Sequence, residues 1–392
     1  MEPRKITEGV FWVGAVDWDR RLFDSLIPLP DGTSYNAYLI KGTGKTALLD
    51  TVDPAMTGVL MANLAGVEKI DYVVVHHAEQ DHSGSLPAVL EKYPLAKAVC
   101  NAKCKDFLMD LLHLPEDRIV TVADGELLDL GGKTLEFIFT PWVHWPETTS
   151  TFLREDGILF SCDLFGSHLS FPGLYVDDEQ KVCEASKRYF AEVMMPFRPT
   201  IKKHLERLSG FAIKTIAPSH GPLYKDPSCI MDSHRYWVSD KVSNTVIIPF
   251  ATMHGSTEMM VERLAGSLYR RGIKVERFNL ANADTGRLTM ALVDAATVVF
   301  ASPTVLGGAH PLVISAAFLI NALRPKLRYS AIIGSLGWGG KMAEQVSANI
   351  GGLKAESLGT ILVKGRPRQD DLAKIDSLAE LIEAKHKESG IH

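Results

Sequence analysis

From Asn244 to the C-terminus the chain alternates apolar runs of strand length with amphipathic runs of helix length, five times over. Strands are predicted at residues 245–250, 273–278, 297–301, 330–334 and near 360–363. Helices are predicted at 258–271, 287–294, 312–323, 341–350 and 370–387. Strands joined through helices pair in parallel, and the helices then cover both faces of the sheet. The expectation for residues 244–392 is therefore a doubly wound parallel sheet with its ligand site at the carboxyl ends of the strands.

Three loops at those ends carry hydroxyls and glycines. The first runs through Thr252, Met253, His254, Gly255, Ser256 and Thr257, opening a helix. Hydroxyls and free amides at a helix N-terminus make a phosphate cradle. No Gly-Lys-Ser/Thr follows, so a nucleoside triphosphate with Mg²⁺ is not implied, and there is no GxGxxG dinucleotide fingerprint. The second loop holds Ser302, Pro303, Thr304, Leu306, Gly307 and Gly308; the third holds Ser335, Leu336, Gly337, Trp338, Gly339 and Gly340. Glycines there let backbone approach a flat ring, and Trp338 offers an aromatic face to pack near it. The three loops resemble those that bind FMN in flavodoxins, and the resemblance implies that these residues hold FMN. His254 stands where such proteins more often carry an aromatic residue, which puts the flavin's stacking and redox poise in question and leaves the phosphate contacts intact.

The whole chain, at 392 residues, is too long for one ordinary core. Residues 1–243 form a second, differently patterned region. Its recurring event is an apolar run that stops on a potential metal ligand. Residues 72–75 (Tyr-Val-Val-Val) deliver His76, His77, Glu79, Asp81 and His82 within seven positions. Later runs end near His144, on Asp163, and on His220 in Pro-Ser-His-Gly. Carboxylates and imidazoles are costly to gather at the edge of a core unless a cation compensates them. Imidazole and carboxylate without thiolate suit a borderline-to-hard transition ion better than a structural zinc. Each ending alone has a plainer explanation, such as a hydrogen-bonded core histidine. Four together predict an αββα sandwich whose strand-end loops converge on a binuclear site.

His-x-Glu-x-Asp-His-Ser-Gly at 77–84, with His144, with Asp163 in Ser-Cys-Asp-Leu-Phe-Gly and with His220, resembles the metallo-β-lactamase-like domain of the flavodiiron proteins. Hydrolases of that superfamily usually carry His-x-His-x-Asp-His; here Glu79 takes the second histidine's place. An anionic oxygen donor stabilises ferric iron and moves such a site from zinc hydrolysis toward iron redox chemistry. The resemblance implies that His77, Glu79 and His144 hold one iron, Asp81 and His220 the other, and Asp163 bridges them. His82 either ligates the second iron or stands beside an open position. Trp145 and His168 are candidate neighbours of the reacting centre, whereas His76 is expected to pack on the opposite face of its strand. Leu336 departs from the family, which usually has Tyr or Phe there.

By the same resemblance the chain is an oxygen and/or nitric-oxide reductase that passes electrons through FMN to two iron ions. The donor is expected to be separate, such as rubredoxin or reduced coenzyme F420, and the assembly a head-to-tail homodimer or a dimer of dimers. The alternative is a zinc-dependent hydrolase fused to a flavodoxin-like electron carrier. A net charge of −5 and a pI near 6.2 give no basic footprint for nucleic acid. No apolar run approaches the roughly 18 residues of a membrane span, and residues 1–5 precede no apolar stretch, so no signal peptide is expected. Five scattered cysteines make no disulfide framework and point to a reducing cytoplasm; Cys100 and Cys104, without a second pair, are expected to be simple thiols.

Overall fold

The computed structural model of the chain describes residues 3–392. They gather into two compact units: residues up to 189 with Phe197–Val238, and Phe190–Pro196 with Ser239–His392.

Two sheets make the first unit. In the larger, the strands lie in the order Arg4–Thr7, Val10–Trp12, Tyr38–Lys41, Thr46–Leu49, Tyr72–Val74, Lys97–Cys100 and Ile119–Thr121. Pairing is antiparallel as far as Thr46–Leu49 and parallel beyond it. The second sheet orders Leu127–Asp129, Thr134–Phe139, Thr149–Leu153, Ile158–Cys162 and Thr215–Pro218, with only its last pair parallel. Trp12, Ile40, Leu49, Val74 and Val99 of one sheet share a single dry core with Leu135, Phe137, Leu153, Phe160 and Ala217 of the other. Apolar side chains on alternate positions of both sheets are removed from water at once, which is what joins them face to face.

Two elements depart from the sequence-based expectation. Thr-Ser-Thr-Phe-Leu at Thr149–Leu153 is a fully buried central strand, although its hydroxyls look like loop chemistry. Its polar groups are satisfied by long-range partners: the Thr149 amide donates to His76 O (2.9 Å), and Thr151 Oγ1 pairs with His76 Nε2 (2.7 Å). Ala102–Leu112 is a helix that the apolar pattern did not single out; Asn101 caps it by accepting from the Cys104 amide at 2.9 Å. Glu179–Tyr189 is α-helical, and Phe190–Met194 has π geometry.

The second unit is a parallel sheet in the order Lys274–Asn279, Ser243–Phe250, Ala295–Val305, Tyr329–Leu336, Glu356–Lys364. Numbered along the chain this is 2-1-3-4-5, and it reverses between the first and third strands, where a ligand crevice forms. Met260, Val261 and Leu264 of the helix Ser256–Tyr269 join Ile375, Leu378 and Ile382 of the helix Gln369–Glu388 over Val246 and Ile248.

His386 of that last helix is buried and bonded at both nitrogens, Nδ1 to Asn244 Oδ1 (2.8 Å) and Nε2 to Thr297 Oγ1 (2.7 Å). An amide oxygen only accepts, so Nδ1 carries the proton and Nε2 accepts from the threonine hydroxyl. Burial pushes this imidazole down to about 4 from 6.5. The unfolded chain therefore takes the proton first, and the stabilisation, complete above pH 6.5, is lost as pH falls toward 4. The difference in unfolding free energy between the parent and His386→Asn is expected to shrink by on the order of 2 kcal/mol between pH 7 and pH 4. Denaturant titrations at the two pH values measure it, and a constant difference would refute the assignment. Among the described residues, no helix is long and apolar enough to cross a membrane.

Candidate metal centre

Each candidate ligand leaves the end of a strand in the first unit. His77 follows Tyr72–Val74, and Glu79 heads the short helix Gln80–Ser83, which carries Asp81 and His82. His144 lies in the loop between Thr134–Phe139 and Thr149–Leu153, while Asp163 directly follows Ile158–Cys162 and His220 lies just past Thr215–Pro218. Cys162 reaches this point through a left-handed backbone (φ 54°), as does Asp50 (φ 56°) beneath the cluster. Non-glycine residues adopt that conformation only when their surroundings impose it.

The seven side chains meet around one buried carboxylate. Asp163 Oδ2 faces His77 Nε2 and His144 Nε2, each at 3.8 Å. Its Oδ1 faces His82 Nε2 at 3.1 Å and His220 Nε2 at 3.4 Å. Glu79 Oε2 joins the first group, 2.9 Å from His77 Nε2 and 3.2 Å from His144 Nε2. Asp81 joins the second, with Oδ2 3.2 Å from His220 Nε2 and Oδ1 3.4 Å from His82 Nε2. His77, His144 and Asp163 form one set of donor atoms within 4.8 Å of one another, and Asp81, His82 and His220 form a second. Every residue expected for the metal comes to this place, and His82 Nε2 points into it.

His77 Nε2 and Glu79 Oε2 are within hydrogen-bond distance of each other, but other donors are left without a partner. Neither oxygen of Asp163, nor Asp81 Oδ1, has a hydrogen-bond partner, although all are buried. Orphaned buried carboxylate oxygens are expensive without a cation. Outward-facing nitrogens are already engaged: His77 Nδ1 is 2.7 Å from Glu147 Oε1 and His220 Nδ1 is 2.7 Å from the Ser34 carbonyl. Carbonyls and carboxylates accept, so Nδ1 donates in both rings and Nε2 is the nitrogen left facing inward for a cation. Burial alone would push His220 down, yet Asp163 and Asp81 outweigh it and raise it to about 10. Burial likewise disfavours the Asp163 charge, but the surrounding imidazoles hold its carboxyl well below the usual range. The cluster demands positive charge, and imidazole plus carboxylate donors fit iron.

Around the donors, the Trp145 ring stands nearly perpendicular to His77 with centroids 4.9 Å apart, and the His168 and His220 ring centroids are also 4.9 Å apart. His168 Nδ1 bonds Thr33 Oγ1 at 2.9 Å; its buried Nε2 has no hydrogen-bond partner. His76 faces away and pairs with Asp50 at 2.6 Å. Three contributors escaped sequence reasoning. Glu147 orients His77 and also accepts from the Ala78 amide (3.0 Å). Ser34 orients His220, and its hydroxyl accepts from the Gly221 amide at 2.8 Å. Asn36 braces the same loop, donating to Pro218 O and Gly221 O at 2.8 Å each. Only their partners, 69 to 187 residues away, mark them out.

In the second unit, the three glycine-bearing loops leave the carboxyl ends of Ser243–Phe250, Ala295–Val305 and Tyr329–Leu336, which are hydrogen-bonded neighbours. The helix Ser256–Tyr269 starts at Gly255 (φ 80°) with no side-chain cap, so its first amides are available to an anion. Thr252 Oγ1 accepts from the Gly255 amide (3.2 Å), and buried Thr257 pairs its hydroxyl with Ser335 Oγ (3.1 Å). Ser302 keeps its hydroxyl within its own loop, donating to Pro303 O and accepting from the His310 amide. A Cβ on Gly340 would lie 2.5 Å from Thr304 Cγ2, so only glycine lets the second and third loops approach so closely. Leu306 and Trp338 are both 97% exposed, an apolar surface around the crevice that a flat ring would cover.

Residues 33–221 match the family model described as ODP family beta lactamase. The nitric oxide reductase of Moorella thermoacetica is 34% identical over 395 residues, spanning 98% of this chain and 99% of that protein. The solved structure of rubredoxin oxygen:oxidoreductase from the anaerobe Desulfovibrio gigas superposes with a TM-score of 0.95 at 29% identity, covering 98% of each chain. The flavodiiron protein from Giardia intestinalis superposes with a TM-score of 0.91 at 27% identity, again over 98% of each chain.

Proposed function

The chain belongs to the flavodiiron proteins, and from that membership we propose that it is an oxygen and/or nitric-oxide reductase taking electrons through FMN to a di-iron centre. The observation that carries the reading is Asp163, whose two oxygens face two separate donor sets. His77, Glu79 and His144 would hold one iron and Asp81, His82 and His220 the other, with Asp163 across both. Bound there, the irons supply one-electron steps to a diatomic substrate: four electrons with four protons turn O2 into two waters, and two with two protons turn two NO into N2O and water. The chain's own groups bind and orient. Glu147 and Ser34 hold two imidazoles with Nε2 turned to the site, and Trp145, His168 and Tyr189 pack against the imidazoles of His77 and His220. A zinc hydrolase is the lesser reading, because Glu79 replaces a neutral imidazole with an anionic oxygen and the relatives named above are oxidoreductases.

For FMN, residues 252–257, with 302–304, 306–308 and 335–340, would cradle the phosphate and flank the ring. Replacing Ser256 and Thr257 with Ala removes two hydroxyls at the uncapped helix start, each hydrogen bond to a charged group being worth roughly 1.5–3 kcal/mol. FMN retention is expected to fall by about tenfold or more with iron content unchanged; parallel loss of both cofactors would contradict separate sites. We place the protein in the cytoplasm as a head-to-tail homodimer, or a pair of such dimers, served by a separate donor such as rubredoxin or reduced coenzyme F420. The deciding experiment loads the purified holoprotein with electrons anaerobically and follows O2 and NO consumption with each donor. Turnover of either gas supports the proposal; iron and FMN present without turnover of either would overturn it.

A further inference from the structure

The helices Glu179–Tyr189 and Ser228–Val238 bring together two cysteines 46 positions apart, Cys183 and Cys229, with their Sγ atoms 3.6 Å from each other. They are set apart from the other three. Cys100, Cys104 and Cys162 are buried, whereas Cys229 is exposed and Cys183 half-buried. A surface cavity of about 220 Å³ opens on both sulfurs, with Glu179, Lys225 and Asp226 at its rim. That is several times the roughly 30 Å³ a water-sized molecule occupies. Neither thiol belongs to the metal centre or to the flavin loops. Two thiols in contact, accessible and otherwise unused, have the arrangement needed for a bond between them.

We propose that Cys183 and Cys229 are a redox-modifiable dithiol that a peroxide closes to a disulfide. The sulfur of Cys183 attacks one peroxide oxygen, the O–O bond breaks, and a sulfenic acid and one water result. The sulfur of Cys229 then displaces that hydroxyl as a second water and forms the S–S bond. The two thiols lose two electrons and two protons, and hydrogen peroxide is reduced to two waters. Burial and the hydrogen bond with Cys183 push the Cys229 thiol up to about 11, and its proton leaves with the displaced hydroxyl as the second water. Reaching the usual bond length of about 2.05 Å takes roughly 1.5 Å of sulfur movement, within reach of side-chain rotation.

The bond would have a structural consequence at the metal centre. Cys183 lies six positions before Tyr189 on the same helix, and the Tyr189 ring stands edge-on to His168 at 4.7 Å and 5.8 Å from His220. The partner helix carries His234, packed 4.8 Å from Phe165, two residues beyond Asp163. A disulfide would thus tie together the two helices that back these walls.

The test exposes the native holoprotein to a modest excess of hydrogen peroxide, quenches with catalase, and alkylates after denaturation. Free thiols are expected to fall from the five present to three. A peptide linking Cys183 to Cys229, lighter by two hydrogens, should appear, and dithiothreitol should restore both thiols. In Cys183→Ser, no disulfide involving Cys229 should form. Recovery of both cysteines as free thiols after peroxide would overturn the proposal. So would separate oxidation of each without a cross-link, or the same thiol loss in Cys183→Ser/Cys229→Ser.

Discussion

Asp163→Ala is expected to yield a chain that retains FMN and carries neither iron at stoichiometric level, with no O2 or NO turnover. Asp163 is buried, and its two oxygens address different donor sets, His77 and His144 on one side and His82 and His220 on the other. Removing it takes a carboxylate oxygen from both sets at once, and among the described residues it is the only one placed between them. It also removes the negative charge that lets four close imidazoles surround a dication. Loss of one positioned group around a metal commonly weakens binding 10–100-fold, and on the proposed assignment both halves would lose a direct ligand. Metal analysis against flavin absorbance measures the outcome. Two irons per flavin in the variant would remove the basis for the bridging role.

The second large effect is expected at a residue that touches no metal. Glu147→Ala takes the acceptor from His77 Nδ1 and from the Ala78 amide, both in a buried setting. Each orphaned donor costs about 1–3 kcal/mol, and His77 is freed to turn or to change tautomer. Iron affinity at the His77, Glu79 and His144 side should fall about 10–100-fold, with FMN unaffected. Glu147→Gln should recover part of the loss, because its amide oxygen still accepts from His77. Unchanged iron affinity in Glu147→Ala, measured by competition with a chelator, would show that His77 is oriented by other contacts.

The flavin unit was legible in the sequence almost element by element. Its strands and helices are local patterns, and right-handed crossovers leave few ways to order them. In the first unit the strand ends were legible and the frame between them less so. Thr149–Leu153 was missed because Thr and Ser in a central strand are acceptable only with distant partners, here His76 and Asn101. Glu147 passed unnoticed for a similar reason: it stands three residues past His144 with no local spacing to flag it, and its role exists only through His77, 70 positions earlier. His82 was ambiguous because a histidine beside Asp81 on one helical turn can face either way, and packing beneath the site aims Nε2 at Asp163.

The sequence by itself determined the chemistry available: imidazole and carboxylate at strand ends, an acidic residue at position 79 in place of histidine, and hydroxyl and glycine loops opening helices. It also determined the parallel sheet of the second unit, because strand–helix alternation is a short-range signal. Only the tertiary structure decided which oxygen of Asp163 faces which histidines, which nitrogen of His77 and His220 is turned to the site, and that Cys183 meets Cys229. Those are relations between groups far apart in the chain and a few ångströms apart in space. They arise when two sheets bury a common apolar face and thereby bring their loop ends to one place.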